Sequence, residues 1–164
     1  AAVAALPLRT GMGVLEIGCG PGVAARLVAA RIQHGRVLGI DRSAKAVEQA
    51  IAGSQREMSA GLVEFRQAAV ETFALAAGEE PYDLAFALRV GALDGRHPEI
   101  EEAALRCIVA ALRKGGRLFL DGGDPLGEVR LPARASSSSP LSSSSPPRPS
   151  PSPPRRRGPR PHAP

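Results

Sequence analysis

The chain contains the segment Val14-Leu15-Glu16-Ile17-Gly18-Cys19-Gly20-Pro21-Gly22, which is its most informative feature. Its apolar start is typical of a buried β-strand, and the spacing of Val23, Leu27 and Ile32 predicts a helix directly after the glycines. Glycine adopts positive φ angles and lets the backbone come close to a ligand, because it has no Cβ. A strand that turns into a helix at such a loop presents free backbone N–H groups to a polar ligand. The stretch therefore predicts the first cofactor loop of an α/β domain.

The spacing of the glycines separates two kinds of cofactor. The dinucleotide fingerprint G-x-G-x-x-G needs a glycine at the position of Val23, whereas this chain has glycines at Gly18, Gly20 and Gly22. A nicotinamide-dependent oxidoreductase would also need a catalytic domain, which we do not find in the residues that follow. The pattern therefore disfavours a nicotinamide cofactor.

A second signal is the acid at the end of Arg36-Val37-Leu38-Gly39-Ile40-Asp41. The segment is typical of a second strand, and a carboxylate at its end can accept hydrogen bonds from two ribose hydroxyls. The alternative is that Asp41 only leads the next helix, for which Ser43 is a suitable N-cap. Dinucleotide folds use the same acid, so Asp41 alone does not identify the cofactor.

The glycine stretch resembles motif I of the class I S-adenosylmethionine (SAM)-dependent methyltransferases, which reads hydrophobic-hydrophobic-[D/E]-hydrophobic-G-x-G-x-G. Two further segments are similar to the same family, and both lie before residue 121: Tyr82-Asp83-Leu84-Ala85-Phe86 and Leu112-Arg113-Lys114-Gly115-Gly116-Arg117-Leu118. In the second of them, Lys114 stands where the family pattern L-[K/R]-P-G-G-x-L has proline. The resemblance covers about residues 11–121. It implies SAM as cofactor and methyl transfer to an acceptor that is a small molecule by default.

The resemblance also implies ten cofactor-binding residues, grouped by the part of SAM that each would contact. They are Glu16, Gly18, Cys19 and Gly20 along the methionine, Asp41 at the ribose, Arg42, Ala69 and Val70 at the adenine, and Leu88 and Arg89 near the methionine end. Family members often have an aspartate where this chain has Ala69, and that aspartate holds the adenine amino group. One side-chain anchor for the adenine is therefore absent.

No catalytic residue or metal site is predicted. His97 and Asp94 could supply a base for an O-methylation, although a surface loop that caps the next helix is the interpretation we favour. The segment Ala87-Leu88-Arg89-Val90-Gly91 lacks the [D/N]-P-P-[Y/F] run of enzymes that methylate adenine or glutamine amino groups. The two cysteines, Cys19 and Cys107, have no metal-ligand spacing.

Alternating strands and helices predict an α/β fold, a Rossmann-like three-layer α/β/α sandwich with a mostly parallel sheet. The predicted strands are 14–17, 37–40, 62–66, 83–88 and 117–120, and the predicted helices are 22–33, 44–59, 71–77 and 98–113. We expect about five strands, without the C-terminal strand hairpin of the family, so that strand five lies near an open edge. The ligand crevice should lie at the carboxyl ends of strands one and four.

Composition divides the chain into two parts. Residues 1–134 contain all 16 acids and 16 of the 21 bases, and we interpret them as a methyltransferase domain that is incomplete at both ends. Residues 135–164 contain ten Ser, ten Pro, five Arg and no acid, which predicts a disordered tail. The net charge of +5 therefore belongs to the tail, and it is poor evidence for a nucleic-acid substrate.

Partners and location follow from composition. No apolar run approaches 18 residues, so we expect no membrane contact. Aromatic residues make up only 3% of the chain, which disfavours a stacking platform for RNA. Two cysteines without a redox motif fit a cytoplasmic location. The functional alternative to a working enzyme is a protein of the same fold that binds SAM without transferring its methyl group.

Overall fold

The computed structural model describes residues 2–93, 95, 97–122 and 126–131. In chain order, the elements are α1 (Ala2–Ala5), β1 (Gly13–Ile17), α2 (Val23–Ile32), β2 (Arg36–Asp41), α3 (Ala44–Gly53), α4 (Gln55–Ser59), β3 (Val63–Gln67), a 3-10 turn (Val70–Thr72), β4 (Tyr82–Ala87), a second 3-10 turn (Gly91–Leu93), α5 (Pro98–Ala111), β5 (Leu112–Leu120) and β6 (Gly127–Val129). The predicted tail, residues 135–164, lies outside the described residues, and the division at residue 134 stays a prediction.

The strands form one sheet in the order β3-β2-β1-β4-β5-β6. The first five strands run parallel, and β6 pairs antiparallel with β5. The chain crosses from β3 to β4, on the other side of β1, so the strand order reverses between β1 and β4. In such sheets ligands bind in the crevice at the carboxyl ends of the strands at this reversal. The Rossmann-like α/β fold predicted from the sequence is confirmed.

The sheet is covered on both faces by separate parts of the core. One face packs residues such as Val14, Val37 and Phe86 against α2 and α3. The other face packs residues such as Leu15 and Ile17 against α5 and the turn at Val70–Thr72. Because side chains alternate along a strand, Glu16 points to the same face as Val14 and is buried beneath α2. These two faces give the predicted three layers.

Three helix predictions were wrong in their limits. The helix predicted over 44–59 is broken at Ser54, which has φ −127° and a fully buried side chain. The helix predicted over 71–77 is only the 3-10 turn, because Phe73 takes an extended backbone and is buried in the core. The last helix ends at Ala111, since Leu112 turns to an extended backbone and pairs with Tyr82 of β4.

A sixth strand adds to the five expected. In β6, Gly127–Val129 pairs with Leu118–Leu120 and covers part of the edge that was expected to be open. Arg117 on β5 donates two hydrogen bonds of 2.7 Å to the carboxylate of Glu128. Three residues with no alternation to read are too short for a strand signal in the sequence.

In the described part of the chain, no helix has the length and apolar character needed to cross a membrane.

Candidate functional site

The glycine loop between β1 and α2 has a backbone that favours glycine at three positions. Gly18, Gly20 and Gly22 have φ angles of 70°, 51° and 74°. A Cβ on Gly22 would also lie 2.7 Å from Cζ of Phe65, so this position excludes side chains on two grounds. The backbone shape of the loop therefore explains why this segment has glycine at alternating positions.

Hydrogen bonds tie this loop to the end of β2. The N–H groups of Gly18 and Cys19 donate to the carbonyl oxygen of Ile40 at 2.8 and 3.0 Å. Asp41 accepts from the Gly20 N–H at 3.0 Å through Oδ2, and from the Ser43 N–H at 2.9 Å through Oδ1. Asp41 therefore does more than lead α3, because its carboxylate joins the glycine loop to the start of that helix.

A cavity of about 490 Å³ opens beside this loop at the carboxyl ends of β1, β2 and β4. Its volume lies within the range of about 300–1,000 Å³ that is usual for small-molecule sites. Six of the ten predicted site residues line it: Gly18, Asp41, Arg42, Ala69, Val70 and Arg89. Most of the residues predicted to bind the cofactor therefore line one cavity.

Four predicted residues do not line the cavity. Glu16 and Cys19 are buried, at 3% and 4% exposure, and Leu88 packs against the core face that carries α2. Gly20 lies outside the lining, and a Cβ added to it would meet open space. Eight lining residues were not predicted as cofactor contacts: Ile17, Ile40, Ala68, Val90, Gly91, Ala92, His97 and Ile100. Four of the eight, Ile17, Ile40, Ala68 and Val90, are next to predicted positions, and that adjacency was the available signal.

Glu16 is the unusual ionisable group below the loop. Its Oε2 is buried and has no hydrogen-bond partner. Desolvation by burial, helped by the negative charge of Asp41, raises the pKa of Glu16 to about 8, against the opposing effects of the Ala25 N–H and of Arg26. Burial, with the charges of Glu16 and Asp41, also raises the pKa of the Cys19 thiol to about 12, so Cys19 is not a nucleophile at neutral pH.

The rim of the cavity is fixed by side chains from two loops. Arg42 donates to Oε1 of Glu71 at 2.6 Å, and its carbonyl oxygen accepts from the side chain of Gln67 at 3.2 Å. Ala69, which lines the same cavity, contributes no polar side-chain atom. This end of the cavity therefore relies on backbone groups and on the held guanidinium of Arg42.

The opposite wall of the cavity contains a strained residue. Arg89 has φ 58°, which is uncommon for a residue other than glycine, and its N–H donates to Asp121 Oδ2 at 2.7 Å. Strained backbone of this kind gathers at ligand sites. His97 also lines the cavity and stands before α5 without making a side-chain cap. Asp94, considered with it as a base, lies outside the described residues.

Comparison with known proteins decides the family. Residues 14–116 match the family described as "Methyltransferase domain". The chain belongs to the class I SAM-dependent methyltransferases. Over 122 residues it is 34% identical to trans-aconitate 2-methyltransferase of Paracidovorax citrulli (strain AAC00-1), a match that spans 74% of this chain and 43% of that protein. This methyltransferase chain therefore spans less than half the length of that curated relative.

Solved structures of similar fold include two at more than 25% identity. Coclaurine N-methyltransferase bound to N-methylheliamine and SAH (S-adenosylhomocysteine, the demethylated form of SAM) gives a TM-score of 0.58 at 28% identity, and the match covers 69% of this chain and 31% of that chain. The [4+2]-cyclase SpnF gives a TM-score of 0.60 at 26% identity, with 73% and 42% covered. The methyltransferase fold is thus also found in a protein named for a different reaction.

Two of the other spaces in the described part of this methyltransferase domain bear on the choice of site. A cavity of about 620 Å³ shares Arg89, Val90 and Gly91 with the first and is also lined by Glu101 and Asp121. A larger groove, of about 830 Å³, lies between the start of β5 and β6. The larger groove is lined by neither the glycine loop nor Asp41, so its size does not make it the cofactor site. The 620 Å³ cavity adjoins the 490 Å³ cavity directly, through the three residues that they share.

Proposed function

We propose that this chain binds SAM in the 490 Å³ cavity and directs its methyl group to a small-molecule acceptor. The observation that carries the proposal is the loop of Gly18, Gly20 and Gly22, all at positive φ, tied by Asp41 to the end of β2. That arrangement lies inside the segment that matches the methyltransferase family.

The residues present fit this cofactor. Each oxygen of Asp41 accepts one backbone N–H and retains a lone pair, so the carboxylate can also accept from ribose hydroxyls. Ala69 and Val70 offer backbone groups to the adenine, beside the held Arg42. Gly18 and Arg89 lie at the other end of the cavity, where the methionine portion would be held.

The chemistry asks little of the protein beyond positioning. SAM supplies a methyl group that its sulfonium already activates. Alignment of two reactants can lower a barrier by about 7–11 kcal/mol, and the rigid loop and Arg89 serve that purpose. A base is needed only for an acceptor that must lose a proton, and His97 lines the cavity and could accept that proton.

The acceptor is proposed by chemical class only. The curated relative is named for trans-aconitate, a small carboxylate, which supports a small-molecule acceptor for this chain. The 620 Å³ cavity that shares Arg89 with the cofactor cavity is the space that we assign to it. The alternative, a protein that binds SAM without transferring its methyl group, has the same cofactor site.

Calorimetric titration of the purified chain with SAH and, separately, with NADH tests the cofactor. Micromolar binding of SAH alone supports the proposal, and binding of NADH alone would contradict it. Transfer of labelled methyl from SAM to small carboxylates then separates an enzyme from a protein that only binds the cofactor.

A substitution of Asp41 tests the geometry of the site. Asp41→Ala removes a charged acceptor, so SAH binding should weaken by about 1.5–3 kcal/mol. The same calorimetric titration measures the change. An unchanged affinity would show that Asp41 does not hold the ribose. Arg106→Gln, which alters only an exposed ion pair on α5, serves as the control.

A further inference from the structure

Arg26, on the first turn of α2, lines neither the cofactor cavity nor the cavity beside it. Its Nη1 nevertheless donates to the carbonyl oxygen of Pro21 at 3.2 Å and to Oγ of Ser54 at 2.9 Å. We propose that Arg26 is a positioning residue, which holds the glycine loop to the break between α3 and α4 and presents a positive charge to the buried Glu16. The proposal rests on the proposed function, because it assigns Arg26 to the cofactor loop.

The loop needs an anchor on this side. Its inner side is fixed by the hydrogen bonds to Ile40 and Asp41, which involve Gly18, Cys19 and Gly20. Pro21 has no N–H with which to continue that series. Its carbonyl oxygen is bound by Arg26 instead, and a hydrogen bond from a charged donor is stronger than one from a neutral donor. Glycine-rich backbone loses much conformational freedom on ordering, so each such anchor matters.

The second hydrogen-bond partner of Arg26 is the buried Ser54. Ser54 has no exposed surface, and its hydroxyl accepts from Arg26 at the point where α3 ends and α4 begins. Gly53 leaves space for the guanidinium, since a Cβ there would lie 3.2 Å from Nη1. The helix break that the sequence did not predict therefore forms the receiving site for this side chain.

The positive charge of Arg26 also acts on Glu16. Three groups act electrostatically with Glu16: Arg26 from α2, Asp41 from the end of β2, and the Cys19 thiol from the loop. Asp41 disfavours ionisation of Glu16, whereas Arg26 favours it. Without Arg26, burial and the charge of Asp41 would remain, and the Ala25 N–H would be left to oppose them. Arg26 thus links the shape of the loop to the protonation of the acid beneath it.

Two measurements on Arg26→Met test the proposal, with Arg31→Met as the control. Arg31 lies on the same helix, but it donates to the carbonyl oxygen of Val3, away from the loop. SAH affinity should fall at least tenfold in Arg26→Met and stay within twofold of the wild type in Arg31→Met. In the unliganded protein, the NMR titration of the Glu16 carboxyl carbon should move to higher pH only in Arg26→Met, a shift that a merely structural role would not produce.

Two further variants separate the anchor from the charge. Ser54→Ala should weaken SAH binding without moving the Glu16 titration, and Arg26→Lys should keep the titration near the wild-type midpoint while stability is preserved. An Arg26→Met protein with an unmoved Glu16 midpoint, or with SAH affinity within twofold of the wild type, would overturn the proposal. If the wild type itself does not bind SAH, the proposed function fails, and the titration still decides whether Arg26 acts on Glu16.

Discussion

Two glutamates in different regions of the molecule have opposite surroundings. Glu16, beneath the glycine loop, has a buried oxygen without a partner, and burial raises its pKa to about 8. Glu79, before β4, accepts from Tyr82 at 2.5 Å, from the Ala76 N–H at 2.7 Å and from Arg66 at 3.1 Å. Burial acts against ionisation of Glu79 too, but these hydrogen bonds outweigh it and its pKa is lowered.

The difference separates a region shaped for a ligand from one shaped for stability. Around the loop, the chain tolerates an unpartnered carboxylate oxygen on Glu16 and the strained Arg89. Around Glu79, it satisfies charges and stacks Arg36 over the ring of Tyr82 at 4.2 Å. Proteins depart from locally favourable choices chiefly at functional sites. The departures at Glu16 and Arg89 therefore support the assignment of the cofactor cavity, whereas Gln33, with φ 54° at the end of α2, lies outside its lining.

The largest effect is expected at Gly22. Gly22→Ala combines a left-handed backbone, which costs about 1–2 kcal/mol, with crowding against Phe65, which costs about 1–3 kcal/mol. We therefore expect a loss of about 2–5 kcal/mol in the free energy of unfolding, measured by urea denaturation. Gly20→Ala has the positive φ but open space, so it should cost only about 1–2 kcal/mol. Equal losses would mean that crowding at Phe65 is relieved by movement.

Glu16→Gln tests the unsatisfied side of the comparison. The folded pKa of about 8 lies above the usual 4.5, so Glu16 reduces stability progressively as pH rises from about 4.5 to 8. The free energy of unfolding of the variant should rise relative to that of the wild type by up to about 1.4 kcal/mol for each pH unit in that range. Above pH 8 the difference between the two proteins, called the gap below, should stay constant. Thermal unfolding of both proteins from pH 4.5 to 9 measures the gap. A gap that does not change with pH would show that Glu16 is ionised throughout.

Glu79→Gln tests the satisfied side. Because the pKa of Glu79 is lowered, its contribution is present above pH 4.5 and is lost as pH falls through the folded pKa. At pH 7 we expect a loss of about 1.5–3 kcal/mol, the range for hydrogen bonds to a charged group. Urea denaturation at pH 7 and pH 3 checks both the size and the sign. A gap that widens in acid would contradict the comparison.

Ser43→Ala should have the smallest effect. Its hydroxyl accepts from the Ala46 N–H at 3.2 Å and caps α3, which is worth about 1 kcal/mol. The Ser43 N–H that donates to Asp41 is a backbone group and is retained. Stability should therefore fall slightly while SAH affinity stays within about twofold of the wild type. A large loss of affinity would mean that the start of α3 also shapes the cofactor site.

The sequence predicted best what depends on local signals. A short apolar run predicted the first strand, the alternating glycines predicted the loop, and the acid at the end of the second strand identified Asp41. The three glycines have positive φ angles, and the fold that these signals implied is confirmed. The break at Ser54 could not be read in this way, because the buried Ser54 side chain is partnered by Arg26, 28 residues away. His97 and Ile100 reach the cavity only through the path of the chain after β4. Long-range packing decides such features, and periodicity does not record it.

The contact between Gly18 and Val90 has a consequence for how this sequence can change. A Cβ at position 18 would lie 2.6 Å from Cγ2 of Val90, although the two residues are 72 positions apart. Both residues line the cavity, so the size of the side chain at one position limits the size at the other. In evolutionary terms, a larger residue at 18 requires Val90 to move or to be replaced by a smaller residue, and the φ angle of 70° would still penalise it. Substitutions at these two positions should therefore be non-additive, and lineages of this domain should vary them together.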